Sequence, residues 1–392
     1  YISFYNYILR NIVAKTNRPL YNHFVENGTS KEESTMFGFS VFMNADLTTT
    51  DIDAIEEMAL QGFSGIFTSM HIPEDDAASY RQRLTTLGEI AKKNRLSLMV
   101  DISGEALAKA GFSYKELNEL TDRGVTGLRM DYAIDNQTIA QLSRKITISL
   151  NASTLTEKDI NELNTYQADF SNLEAWHNYY PRPETGLDKE WFQAKNQWLK
   201  QQGFLVQAFV AGDANKRGPL YQGLPTLEAH RSMSPFAAAL ELLRDCAVDA
   251  VYIGDGIVTP ASLKQFSSYL ADQTVLLRTK DIGSAYYQHI LGEHESRQDE
   301  ARDVIRSANA RFAEVPLISP ETAQKRVVGA VTIDNQDYLR YMGEIQICKR
   351  ILPADDKVNV AAQVIEEDLP LLQQIKAGMR FKIERDERND ND

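Results

Sequence analysis

Four carboxylates, Asp101, Asp131, Glu174 and Asp255, stand at or just past the ends of strand-like runs. Cleaving a glycosidic bond needs one carboxyl group to protonate the leaving oxygen and a second to stabilise or capture the oxocarbenium-like centre, and these four are the candidates for such a pair. Arg129 and Asp131 are two apart and share one face of a regular strand. On a lumenal face Arg129 would keep Asp131 ionised, as a nucleophile requires. Glu174 lies among Trp176, Tyr179 and Tyr180; apolar surroundings raise a carboxyl pKa, which suits a general acid. Asp131, Glu174 and Asp101 are therefore the catalytic expectation. A salt-bridged Arg–Asp layer that only fills the interior is the competing structural use.

Around them stand other groups able to hold a substrate: Asn44, His71, Arg129, Asn151, His177, Asn178, Gln207 and Asp255. The cluster Lys216-Arg217-Gly218, with His230 and Arg231 downstream, is the best local site for an anion, because a guanidinium offers phosphate a two-pronged fork. Trp176, Tyr179, Tyr180 and Tyr221 are candidates for stacking on sugar faces, with packing the equal alternative. His71, His177 and His230 show no metal-ligand spacing, so no metal or cofactor is expected.

These residues need a scaffold that brings distant strand ends together. Strand-like runs occur at 38–44, 65–72, 96–103, 127–133, 146–153, 172–178, 204–212 and 250–256, with amphipathic helical patterns between them. Helix starts are marked at Thr50 or Asp51, at Thr156 and at Ser234-Pro235, and Gly62, Gly124 and Gly203 stand where helices should end. Eight such units over about 240 residues match the ~250 of a (βα)8 barrel, whose active site gathers at the C-terminal ends of its strands. An open doubly wound sheet would carry a glycine-rich turn after its first strand; the turn here is Asn44-Ala45-Asp46-Leu47. The fold class expected is α/β, a TIM barrel over 36–273. A small, mainly β domain over 274–392 follows, with one helical-looking insert at 294–312. The loops after the sixth and seventh runs are far longer than the usual 2–6 residues, and loops of that kind are usually functional.

The chain has 392 residues, 43% apolar and 25% charged, the balance of a globular protein. A net charge of −13 argues against a nucleic-acid partner, while local cations leave room for a small anionic one. Cys246 and Cys348, far apart, fit buried reduced thiols of a cytoplasmic protein. Neither a membrane span nor a signal-peptide pattern is present in the sequence. Residues 1–35 lack a clear period and are expected to be an extension before a functional start at Met36; a short helical arm with Tyr5, Ile8, Leu9 and Ile12 on one face is the alternative.

The runs MFGFSVFMNADLT (36–48), GLRMDYA (127–133), NLEAWHNYYPRPETGL (172–187) and FVAGDANKRGPLYQGLPTLEAHR (209–231) resemble the bacterial 6-phospho-N-acetylmuramidase family. So does the layout of a barrel followed by a cyclophilin-like β domain, over Met36 to about Glu384. The resemblance implies a cytoplasmic glycosidase of peptidoglycan recycling. It would split N-acetylmuramic acid 6-phosphate–N-acetylglucosamine, a phosphorylated amino-sugar disaccharide, into its two sugars, without a cofactor, nucleic acid or membrane. The resemblance does not assign the acid and the nucleophile, and it leaves the β domain open to capping the mouth, through Arg340, Lys349 or Arg350, or to packing and homodimerisation. Two other classes stay open: a different phosphosugar-processing barrel enzyme, and a barrel that binds carbohydrate without catalysis. An aldolase is disfavoured because no strand run contains a lysine for a Schiff base.

Overall fold

The computed structural model describes residues 36–69, 77–102, 117–130, 134–310 and 315–387. His71, Ser103 and Asp131 lie outside the described residues, as does the whole 1–35 segment.

Eight parallel strands close into a barrel in sequence order: β1 (Met36–Ser40), β2 (Gly65–Ser69), β3 (Ser97–Ile102), β4 (Gly127–Met130), β5 (Thr147–Asn151), β6 (Leu173–Trp176), β7 (Leu205–Val210) and β8 (Ala250–Ile253). Each is followed by a helix of the same number: α1 (Thr49–Leu60), α2 (Ala77–Lys93), α3 (Leu117–Asp122), α4 (Asn136–Ser143), α5 (Glu157–Thr165), α6 (Lys189–Gln201), α7 (Pro235–Asp245) and α8 (Pro260–Asp272). Helix starts follow local chemistry. Thr48 and Thr156 form reciprocal capping boxes with Asp51 and Asp159, and Ser234 caps α7 ahead of Pro235. The first cap is thus Thr48, two residues before the expected Thr50, because Asp51 reaches back to it.

Alternation along the strands sorts their side chains into two populations. Phe37, Phe39, Ile66, Leu98, Val100, Leu128, Ile148, Leu150, Val206, Ala208, Val251 and Ile253 face outward and bury themselves under the helices. Phe67, Met99, Trp176, Phe209, Ala250 and Tyr252 face inward and form a separate lumenal cluster. The strand register stacks the lumen in layers drawn from alternate strands. Gly65, Gly127, Glu174 and Ala250 form the floor, with only Ser97, Thr147 and Leu205 below them among the described side chains. Gly38, Met99, Ser149 and Gln207 come next, then Phe67, Arg129, Trp176 and Tyr252. Ser40, Asp101, Asn151 and Phe209 follow, and Ser69, Asn178 and Gly254 are the uppermost described members. Large fits small: a Cβ on Gly38 would lie 2.1 Å from the Tyr252 ring, and one on Gly65 2.3 Å from its hydroxyl.

Beyond α8 the chain enters a seven-stranded mixed sheet, order β10-β15-β9-β14-β12-β13-β11. Its members are β9 (Val275–Asp281), β10 (Gly292–Glu295), β11 (Val304–Arg306), β12 (Ala330–Asp334), β13 (Ile345–Cys348), β14 (Val358–Val364) and β15 (Arg380–Arg385). The helix expected within 294–312 does not form over its described part. That segment gives β10 and β11, joined by a turn in which Asp299 receives both Arg297 and Arg306. Ile305 is buried as β11 pairs with β13, so the strand satisfies an apolar side chain that the charged surroundings disguised in the sequence. A buried ion pair between Arg278 and Asp368 lies within the β domain, and Gln265 of α8 ties it to the barrel by donating to Asp368 at 3.1 Å.

Candidate active site at the barrel mouth

Asp101, at the end of β3, is buried with its carboxylate in a polar grip. Arg129 Nη1 donates to Oδ1 at 2.8 Å and the Ser69 hydroxyl to Oδ2 at 3.2 Å. Arg129 rises from one layer below and also donates through Nη2 to the side-chain oxygen of Asn178. Asn178 is in turn fixed through its carbonyl by Thr226 at 2.9 Å. Ser69 is held from outside, its carbonyl accepting from Tyr80 at 2.8 Å; burial pushes that tyrosine's pKa up, so it stays a donor. Three successive layers thus bring a guanidinium, a carboxylate and an amide together towards the open end of the barrel. Asn151 stands in the layer of Asp101, and its side-chain oxygen accepts from the Ser153 amide at 3.1 Å.

Glu174 is not among them. The strand register puts it on the floor, with Trp176 and the Gln207 layer between it and the mouth. The Trp176 indole donates to Oε2 at 2.8 Å and Gln207 Nε2 at 3.1 Å. Burial does raise its pKa, as expected, but at the closed end of the barrel. Trp176 itself is core, stacked on Phe67 with centroids 5.7 Å apart.

The two long loops, after β6 and after β7, form one wall. Leu187 and Leu227 pair as a bridge, and the Tyr180 amide donates to Pro225 O at 2.9 Å. Glu228 then locks the wall: it accepts from the amides of Glu184 and Gly186 and from the fork of Arg231, whose hydrogen bonds hold its carboxyl at about 2. Arg231 is therefore a brace, although one face of it borders a cleft. The histidines are braces too. His177 points outward, because it alternates with the inward Trp176. Its ring lies 4.4 Å from Phe192 and bonds Ser153 at 3.2 Å and Asn196 at 2.7 Å, and burial drops its pKa to about 4. His230 is fully buried against Glu241 of α7 at 2.8 Å. The hydrogen bonds from His230 and then Lys189 hold Glu241 at about 2. Asn44 is exposed, and its carbonyl is held by Arg83 at 3.2 Å.

What reaches the mouth from the β7 loop is Arg217. Its guanidinium lies 3.5 Å over the Phe42 ring and donates to the Tyr179 hydroxyl at 3.2 Å. Among the described residues no carboxylate pairs with it. Burial raises the Tyr179 pKa, so the phenol accepts from Arg217 and keeps its own proton for a ligand. Lys216 turns the other way, half-buried, into a cleft of about 840 Å³ between the β7 loop, the start of α8 and the ends of β9 and β15. Asp255 is buried, and both its oxygens are taken by loop amides. Tyr221 is 65% exposed on the loop tip. Phe42 is the contributor that side-chain type alone did not bring forward. Among the described residues no group of three or more His, Cys, Asp or Glu could hold a metal ion, and no helix is long and apolar enough to cross a membrane.

The ionisations of the wall set an acid limit. His177 is depressed from 6.5, so it disfavours the fold as pH falls below 6.5; Glu228 and Glu241 are depressed from 4.5, so their contribution is full above 4.5 and lost as pH falls towards 2. Melting temperature is therefore expected to decline gently below pH 6.5 and steeply between 4.5 and 2. Glu241→Gln should flatten the steep limb; an unchanged pH profile in that variant would contradict this assignment.

The chain is thus a closed βα barrel followed by a mainly β domain, with a gripped carboxylate at its mouth and an arginine that no carboxylate pairs among the described residues. The comparisons name the family. This chain belongs to the 6-phospho-N-acetylmuramidase family, whose N-terminal model matches residues 37–268 and whose C-terminal model matches residues 275–384; the family name is that of a glycosidase. A conserved Enterococcus faecalis protein of unknown function is 50% identical, over 90% of this chain and 97% of that one, with a TM-score of 0.84. An uncharacterised Bacillus cereus protein, 24% identical over 90% and 99% of the two chains with a TM-score of 0.72, shares the fold. None of the curated proteins compared with this chain matches it.

Proposed function

We propose that this chain hydrolyses the glycosidic bond between N-acetylmuramic acid 6-phosphate and N-acetylglucosamine, as a cytoplasmic step of peptidoglycan recycling. The observation that carries the reading is the pairing of chemistries at one mouth: Asp101 gripped by Arg129 and Ser69, with Asn178 on the other arm of Arg129, beside Arg217 on Phe42 and Tyr179, which no carboxylate pairs among the described residues. The first suits cleavage of a sugar acetal; the second suits an anionic sugar.

Asp101 is one carboxylate of the proposed pair, facing the oxocarbenium-like centre, and Asp131 is the other on the strength of its place two residues after Arg129 in the sequence. Arg129 and Asn178 orient Asp101 and the sugar hydroxyls. Arg217 takes the phosphate, with Tyr179 donating its retained proton, and Lys216 supplies further positive charge from the cleft side. Glu174, His177, His230, Arg231 and Asp255 are left to hold the barrel and its loops. Incubating the protein with the phosphorylated disaccharide and following release of N-acetylglucosamine tests the reading. Turnover that depends on the 6-phosphate is the expected result. Binding of the disaccharide without product would instead make the barrel a carbohydrate-binding protein.

A further inference from the structure

Asp255, two residues past β8, spends its whole carboxylate on the loop after β7. Oδ2 accepts from the amides of Gly212 at 2.9 Å and Leu224 at 3.0 Å; Oδ1 accepts from the amide of Arg217 at 3.0 Å. Gly212 is where the loop leaves the barrel, Leu224 is where it returns, and Arg217 lies between them. The carboxylate is 6% exposed, so three charge-assisted hydrogen bonds stand in for its water. The approach is close: a Cβ on Gly212 would lie 3.1 Å from the Asp255 Cβ and 2.9 Å from Ile257 O. A single buried group therefore fixes the exit, the crossing point and the return of the loop.

The consequence falls on Arg217. With its amide held by Asp255 and its guanidinium 3.5 Å over Phe42 and 3.2 Å from the Tyr179 hydroxyl, the side chain is restrained at both ends. An arginine on a free loop would lose much of its affinity to the entropy of ordering loop and side chain. We propose that Asp255 is a positioning residue that acts through Arg217, holding the guanidinium ready over the mouth for the anionic group of the substrate. This rests on the reading that Arg217 takes the phosphate. It gives the residues after β8 a part in recognising a ligand that they do not touch.

Asp255→Asn is nearly isosteric, but it replaces one acceptor oxygen by a donor and sets it against a backbone N–H. At least one of the three bonds is lost without a cavity. The test is calorimetric binding of N-acetylmuramic acid 6-phosphate and of N-acetylmuramic acid to the parent chain, Asp255→Asn, Arg217→Met and the double variant. Amide hydrogen exchange at residues 212, 217 and 224 is followed alongside. The parent is expected to prefer the phosphorylated sugar, and Asp255→Asn to cut that preference about tenfold while the three amides exchange faster. Adding Asp255→Asn to Arg217→Met should change the preference no further, because the group being positioned is already gone. Asp255→Glu, which keeps the charge and displaces it by one methylene, gives a second measurement if the Asn variant does not fold; it should lower the preference too. Preference in the parent that survives both Asp255 variants, or a drop that persists in the Arg217→Met background, would overturn the role of Asp255 alone. Absence of any preference in the parent would overturn the phosphate reading of Arg217 and this inference with it. Binding is measured without turnover, so a chain that binds but does not hydrolyse would still report on Asp255.

Discussion

Asp101→Asn is expected to lower kcat by about 10³-fold on the phosphorylated disaccharide, with KM changed far less. The carboxylate is the one member of its layer able to place a negative charge beside the anomeric centre, and the amide that replaces it keeps the shape but not the charge. The substitution also removes the negative charge that faces the Arg129 guanidinium, which is 4% exposed and donates to Asp101 at 2.8 Å. Breaking a buried ion pair from one side costs roughly 3–5 kcal/mol, so kinetics must be read well below the melting temperature of the variant. Glu174→Gln is the matched control, the same chemical change on the barrel floor, and should keep kcat within about tenfold of the parent. Asp131→Asn should fall with Asp101→Asn. If Asp101→Asn kept more than about a tenth of the parent kcat, Asp101 would be no more than a barrel-filling partner for Arg129.

The contrast between Asp101 and Glu174 marks how far the sequence could be read. Eight apolar runs separated by capped amphipathic helices made the barrel legible, because each element states its own period and its own start. Asp101 and Arg129 were legible as polar residues at the ends of strands, but their pairing with each other was not. The depth of Glu174 was not legible because height depends on register, which is set by pairing with β5 and β7 and not by anything in LEAW itself. With Ser149 and Leu205 as its neighbours, Glu174 falls to the floor although it is only two residues from the end of β6.

The partners of His177 and His230 were hidden for a simpler reason. Trp176 faces inward, so His177 faces out, and its partner Asn196 comes from a helix that no local pattern links to it. His230 is likewise answered by Glu241, eleven residues on and across a turn. Arg231 and Asp255 were recognised as important for their charge, but their partners turned out to be the loop itself. In long loops of this kind many charged residues build the wall, and those left without an oppositely charged partner inside the protein are the candidates for a ligand. Arg217 meets that criterion among the described residues, and Lys216 beside it does too.

Arg217→Met should accordingly lower kcat/KM for the phosphorylated disaccharide about 10- to 100-fold, the equivalent of losing roughly 1.5–3 kcal/mol of charge-assisted hydrogen bonding. For the same disaccharide without its phosphate the change should stay within about threefold. Methionine keeps an apolar stem against Phe42, so the comparison isolates the charge and the fork rather than the packing. Arg217→Lys should recover part of the loss, since an ammonium restores the charge but not the two-pronged geometry. The parent's advantage on the phosphorylated substrate should also shrink with added salt, because a half-buried guanidinium is only partly shielded from ions. Equal losses on the two substrates would show that Arg217 only supports Tyr179 and Phe42, and the phosphate would then have to be sought at Lys216, in the cleft that the β domain helps to line.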